Sequence, residues 1–452
     1  MKKFILVTVL FSIYSCQNEI DTFNDSPNSP TSVTPSLLLT QAEVATFNIH
    51  SSDMSRIPAI LTQQIAGNDF QYATYGQYSF LETDMDNSWN TVYQNFGEVA
   101  YDNIKKFGAD NPYYRGMSKV LLALNIVKAS DFWNDVPLSN AFKGNEGIIQ
   151  PTYDTQQSIY VQAQQLLTDA ISDFALPVSS NTKLPASDDL IYNGDVTKWT
   201  KAAYTLKARY ALRLTKRDGD VVAANKALSY LAAGAISSNS EDMNAIFSAT
   251  SSASWNQWYA FEQSRPNYLK MGKYFVDYLV STSDPRLPFY ASQDASSSYS
   301  GVASNGSDND ASDIGPAFNG PDKPLGLITF AEAKFIEAEA KFLISDGTAQ
   351  QTFKDAVSAS LQNYVGSVDV NFVNAVTTNL TLENIIQQKY IALFTNPEVY
   401  NDWRRTGFPV LTPNPDAAVG IPNRMPTPSY ERLYNPNATV VSNTTAKVWW
   451  AN

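Results

Sequence analysis

FAEAKFIEAEAKFLI, residues 330–344, puts Ala331, Phe335, Ala338 and Phe342 on one stripe of a 3.6-residue period. Glu337 and Lys341 are spaced for an i,i+4 pair on the opposite side. A stripe of small and aromatic residues is buried against another helix, and 352–364 follows as the partner after a Gly-containing turn. The arrangement recurs outward along the chain. Asp154-Thr-Gln-Gln157 fits a capping box ahead of a face made by Ile159, Ala163, Leu166, Ala170 and Phe174. Asp195 is placed to cap a helix carrying Trp199, Ala202, Leu206, Tyr210 and Leu214. A shorter helix from about Asp220 carries Val222, Leu228 and Leu231 and stops near Gly234. Thr381 caps a helix with Leu382, Ile385, Ile386 and Leu393, and the second half of the aromatic-rich stretch 68–107 reads as helix. These elements predict a mainly α fold: tetratricopeptide-like helix pairs forming an α-solenoid-like core, although the repeat consensus is poorly kept.

Two stretches stand outside that pattern. Residues 248–323 are rich in Ser, Asn, Asp, Gly and Pro with aromatics embedded, and predict a long irregular excursion. The segment 396–452 is Pro-rich. Ordered irregular loops of this length are often functional.

The N-terminus reads as a leader. Met1-Lys2-Lys3 is a basic start, and Phe4 to Tyr14 is apolar but shorter than the roughly 20 residues that span a bilayer. It ends in Ile13-Tyr14-Ser15-Cys16, a small residue before the only cysteine, which resembles a bacterial lipobox. The expected organisation is a lipoprotein signal peptide over 1–15, a lipidated flexible tether over 16–36, and one domain over 37–452. Loss of Lys2 and Lys3 on cleavage moves the formal charge from −12 to −14. An acidic chain without a basic patch is a poor ligand for nucleic acid.

With Cys16 acylated there is no thiol, and His50 is the only histidine. A zinc site of His and Cys is excluded, and His50 stands in no nucleophile-elbow pattern. Any enzymatic chemistry would rest mainly on carboxylates, lysine or tyrosine. Ser304–Asp313 and Asp84-Met-Asp86-Asn87 are loose acidic clusters without EF-hand spacing and read as solvated loops, so neither a metal nor a cofactor is expected.

Specific strings narrow the reading: SDFWNDVPLSNAF at 130–142, GDVTKWTKAAYTLKARYALR at 194–213, TFAEAKFIEAEA at 329–340, PEVYNDWRRTGFP at 397–409 and NRMPTPSYERLYN at 423–435. In this order they resemble the recurring segments of the SusD/RagB family of Bacteroidetes outer-membrane lipoproteins. Asn134 stands where that family often has Gly, and Met425 where Ile is usual. The resemblance implies tetratricopeptide-like pairs packed on an irregular lobe. It also implies a non-catalytic role: binding oligosaccharide, or in some members peptide, as the lid of a SusC-like TonB-dependent barrel. Glu19-Ile20-Asp21 after Cys16 resembles a surface-export signal, which would place the lipid-anchored chain on the outer face of the outer membrane.

A sugar site needs flat apolar faces together with side chains carrying several donors and acceptors. Two stretches supply both. One holds Tyr72, Tyr75 and Tyr78, with Trp89 after it; the other holds Trp255, Trp258 and Tyr259 with Arg265, Asn267 and Tyr268. These ten are the candidate ligand-binding residues, weighed against a role in fixing long loops to the core. Trp199 and Tyr210, at helical spacing, read as core, and Arg404 and Arg405 read as ordering the C-terminal segment through carbonyls and carboxylates. A surface glycoside hydrolase with a carboxylate pair across an aromatic cleft is the alternative from another class; a structural scaffold is a third.

Overall fold

A computed structural model describes residues 33–452. Cys16, the leader and the acids at 19–21 lie outside the described residues. Helix α1 (Pro35–Ser51) opens two residues inside the segment assigned to the tether, because Thr34 accepts an N–H bond from Leu37 and Pro35 suits a first helical turn. In chain order follow α2 (Asp53–Leu61), β1 (Ile65–Gly67), α3 (Phe70–Gly76) and a helical run over 86–107 with π-type turns at Thr91–Gly97 and Asn103–Phe107. Next are α4 (Pro112–Trp133), α5 (Gln156–Phe174), α6 (Val196–Arg213), α7 (Asp220–Gly234), β2 (Met243–Ala245), α8 (Gln257–Ser264), β3 (Leu269–Met271) and β4 (Leu325–Ile328). The last labelled elements are α9 (Phe330–Leu343), α10 (Ala349–Tyr364), α11 (Leu382–Ala392) and α12 (Glu398–Thr406).

The helices pair as α4 with α5, α6 with α7 and α9 with α10, and the α5–α6 and α7–α9 contacts join successive pairs, giving the tetratricopeptide-like core. Close approach depends on small residues: a Cβ on Gly116 of α4 would stand 2.5 Å from the Phe174 ring of α5. Asp195, Thr329 and Thr381 cap α6, α9 and α11 through their side chains. Two local readings change. The cap of α5 is Thr155, bonded to Ser158 N, while Asp154 takes the N–H groups of Leu138 and Ser139 at 2.8 Å each. The buried face of α7 is Ala223, Ala224 and Ala227, and Val222 is 49 % exposed, because alanines let α7 approach the Ala208–Ala211 face of α6.

The strings at 130–142, 194–213, 329–340 and 397–409 converge on one buried ionic network. Arg213 donates to Asp131 (2.8 Å) and to Glu398, while Arg209 donates to both oxygens of Glu332 (2.6 and 2.5 Å). Arg405 pairs with Glu339 and with Asp402 (2.9 Å), which also holds Lys389 at 2.7 Å. Arg404 donates to the carbonyls of Asp131 (2.6 Å) and Asn423 (2.7 Å) and stacks between Tyr400 and Trp450. Arg404 thus orders the segment after α12, while Arg405 ties α12 to α9. Asn134 ends α4 at φ +76°, a conformation that favours Gly or Asn, and its Oδ1 accepts from Trp449 N (2.7 Å).

The excursion at 248–323 is less irregular than its composition predicts. It contains α8, β3 and a helix at Lys273–Ser281 whose Phe275, Val276 and Leu279 are buried. The antiparallel β1–β3 ladder ties it to the segment after α2, and the antiparallel β2–β4 ladder closes its base by pairing the strands on either side of it.

Candidate functional site

The β1–β3 ladder pairs Ile65 with Met271 and Gly67 with Leu269, which brings the two aromatic stretches into one place. The pairing continues as Asn68 N donates to Tyr268 O (2.9 Å). Asn68 is buried and acts as a hub. Its Nδ2 donates to Asn267 O (2.9 Å) and Asn309 Oδ1 (2.8 Å), and its Oδ1 accepts from Asp308 N (2.7 Å). Three segments distant in sequence are therefore fixed at one point. Gly67 is required there: a Cβ would lie 1.8 Å from Tyr72 O.

Phe70 stands at this junction. It is 62 % exposed, at φ +50°, with its ring stacked on Tyr268 at 4.7 Å and 22°. A bulky residue in the left-handed region costs about 1–3 kcal/mol and persists only where surrounding structure holds it. Here Asp69 accepts its N–H (2.7 Å), and Tyr268 rests on Phe261 (5.9 Å) and Tyr72 (6.3 Å). Beneath them Arg56 lies 4.4 Å from the Phe261 ring centroid and donates to Tyr72 Oη (2.9 Å) and Asp53 (3.0 Å). Burial, more than the neighbouring charges, pushes the Tyr72 hydroxyl up, so it stays neutral in this pile. The result is a rigid aromatic stack whose top ring faces solvent. Exposed Arg265 and half-buried Asn267, at φ +65°, stand on the segment leading into Tyr268.

The ten candidates divide. Tyr72, Tyr75, Tyr78, Trp89 and Trp258 are each no more than 5 % exposed and offer no flat face to solvent. Tyr75 stacks on Phe80 (4.9 Å), Tyr78 accepts from Asn414 N (2.9 Å), Trp89 packs with Tyr93 (4.3 Å) and Trp133 (5.1 Å), and Trp258 lies on the inner face of α8. Their apolar area closes the core under the loops. Arg265, Asn267 and Tyr268 follow the C-terminal end of α8 and join Phe70. Trp255 and Tyr259, edge to face at 5.2 Å, sit at the N-terminal end, about 12 Å away along an eight-residue helix. There Trp255 lines an apolar cavity of about 430 Å³ with Val44, Phe47, Ile246 and Phe247. Phe70 is the residue that residue-type reasoning passes over; its exposure follows from a backbone conformation that the sequence does not signal.

A second aromatic cleft of about 480 Å³ is lined by Tyr93, Phe142, Tyr430 and Tyr434, the last two exposed and stacked at 6.4 Å. His50 is buried, bonded to Asn125 (3.2 Å), and lowered in pKa by burial and then by Lys128. Glu262 of α8 is pushed up to about 8 by burial and then by the Asp313 charge, with its Oε1 buried and unbonded. Among the described residues no group of His, Cys, Asp and Glu could hold a metal, and no helix is long and apolar enough to cross a membrane.

A family profile described as SusD-like, "Starch-binding associating with outer membrane", matches residues 27–428. No curated protein matches the sequence. Among solved structures, a SusD/RagB family protein from Bacteroides thetaiotaomicron is 24 % identical, covers 93 % of this chain and 99 % of its own, and superimposes with a TM-score of 0.81. A chitin-binding SusD homologue from Flavobacterium johnsoniae is 21 % identical over 92 % of this chain and 98 % of its own, with a TM-score of 0.79. A further chitin-binding protein is 24 % identical over 93 % of this chain and 100 % of its own, at 0.78.

Proposed function

Since the chain belongs to the SusD-like family, described as starch-binding in association with the outer membrane, we propose that it captures glycan at the cell surface on the Phe70–Tyr268 ledge and delivers it unaltered to a SusC-like TonB-dependent barrel. Lipid on Cys16 holds it at the outer membrane in this reading, and the segment 17–34 supplies reach.

The observation that carries the ledge is the exposed Phe70 ring, held at φ +50° on Tyr268. A pyranose presents a C–H face to such a ring, and Arg265, Asn267 and Asp308 supply the donors and acceptors that hydroxyls need. The chitin-binding neighbours make N-acetylchitooligosaccharides the first ligands to test, with maltooligosaccharides and peptides beside them. Calorimetry of the chain without its tether against that panel, followed by chromatography of the recovered ligand, tests the reading. Binding of an oligosaccharide that comes back at its original length supports it; shortened products would move the protein to the hydrolase class.

Glu262 is the observation that favours hydrolysis, since a carboxyl at about 8 next to Asp313 resembles a general acid beside a carboxylate. Against that, Asp313 is tied to Lys270 at 2.7 Å, which occupies the carboxylate that a second catalytic role would need. The Tyr430–Tyr434 cleft is the rival location for glycan, and substitution there separates the two.

A further inference from the structure

The largest of the cavities described, about 680 Å³, lies between α5, α6, α7 and the C-terminal Trp449, on the helical core rather than on the loop lobe. Its wall contains Lys207, whose residue is only 6 % exposed. The ammonium donates to Thr168 Oγ1 (2.6 Å) and Gln164 O (3.3 Å) and lies 4.7 Å from the Tyr230 ring centroid. Among the described residues it pairs with no carboxylate, and burial holds it below the usual lysine range against a weaker pull from Asp169. Gln164 donates to Lys207 O (3.0 Å), which leaves its own Oε1 buried without a partner.

Two further cations line the same cavity. Arg217 lies 5.0 Å from the Trp449 ring centroid and is fixed by a bond from its Nε to Trp449 O (2.7 Å). Lys226 is exposed and pairs at 2.7 Å with Asp218, a carboxylate that lines the same cavity, so three cations face one anion there. In a chain of formal charge −12 this is a local excess of positive charge around a concave space. A buried ammonium satisfied only by a hydroxyl and a carbonyl has already lost its hydration on folding, so an incoming anion meets a cation whose desolvation costs nothing further. The volume suits a ligand of two or three sugar rings, and the glutamine amides match hydroxyls.

We propose that this cavity is a second binding site, for a carboxylate-bearing oligosaccharide whose anion is received by Lys207 and Arg217. The saccharide class rests on the glycan-binding reading above; the requirement for an anion rests on the cations alone.

Calorimetry with trigalacturonate, N,N′,N″-triacetylchitotriose and hexaglutamate on the wild type, Phe70→Ala, Lys207→Met and the exposed-residue double variant Arg217→Gln/Lys226→Gln separates the claims. Trigalacturonate is expected to bind the wild type and Phe70→Ala alike and to weaken at least tenfold in the double variant and in Lys207→Met, with affinity falling as salt rises. No binding of trigalacturonate, or binding untouched by both cavity variants, overturns the proposal. So does preference for hexaglutamate, which would make the cavity a peptide site. The chitotriose arm reports on the ledge alone, so failure there leaves the cavity result intact. Should Lys207→Met unfold, the double variant carries the test.

Discussion

Lys128 in α4 is 6 % exposed, and its Nζ has no hydrogen-bond partner, lying 5.9 Å from the Phe132 ring centroid. Burial pulls it down to about 7, against the opposing charges of Glu398 and Asp131 and with help from Arg209. In the unfolded chain the group keeps its ordinary value of 10.5. Between those values the unfolded chain binds more protons, so stability must rise with pH. At about 1.36 kcal/mol per pH unit, the span from pH 7 to 9.5 corresponds to a gain of about 3 kcal/mol, and the same amount is lost as pH falls back to 7. Lys128→Met keeps the unbranched shape, places sulfur near Phe132 and removes the titration. It should stabilise the protein at pH 7 by about 1–4 kcal/mol, as replacement of buried ions by apolar groups does elsewhere. Urea unfolding of both proteins from pH 6.5 to 9.5 gives the difference directly. The two stability curves should converge as pH rises. Parallel curves, or a less stable methionine variant at pH 7, would refute the placement of an unpaired ammonium in this core.

Glu332→Ala leaves Arg209 buried without its bidentate partner and should cost about 3–5 kcal/mol in denaturant unfolding; a cost under 1 kcal/mol would mean the network is solvated. Glu262, held at about 8 against 4.5 when unfolded, keeps its proton while the unfolded chain sheds it, so stability falls as pH rises from about 4.5 to 8. Allowing for its partial exposure, Glu262→Gln should remove about 2 kcal/mol of that decline, read as melting temperature at pH 5 and 8. Asn134→Ala should lose about 1–2 kcal/mol through its left-handed backbone, and Asn134→Gly less, since both lose the side-chain bonds to Trp449 N and Asp135 Oδ1 but glycine carries no backbone strain; equal losses would mean that the backbone conformation costs nothing.

The helices were legible because their signals are local. Asp195 and Thr381 cap where the pattern of apolar residues predicts. The inner face of α7 was misread because hydrophobicity points to Val222, whereas close packing selects the alanines beside it. Ring residues in a short helix such as α3 carry no period long enough to say which side faces the core, and so Tyr72 and Tyr75 proved buried while Phe70 stands out. The ionic network joins residues such as Asp131 and Asn401, 270 positions apart, and no spacing rule could have paired them. What residue type did locate was the pair of stretches that β1 and β3 bring together. The anchor at Cys16 keeps its sequence reading, outside the described residues.

The central claim is that the Phe70 ring receives a sugar face. One ring face is about a third of the area an aromatic residue can bury, roughly 50 Å², and a matching sugar face doubles it, worth about 2–3 kcal/mol at 25 cal/mol per Å². The decisive measurement is therefore the affinity of the best oligosaccharide for wild type, Phe70→Ala and Tyr434→Ala under one condition. The ledge predicts a loss on the order of 30–100-fold for Phe70→Ala and little change for Tyr434→Ala. An unchanged affinity in Phe70→Ala, or a loss confined to Tyr434→Ala, would contradict it and move the glycan to the other cleft.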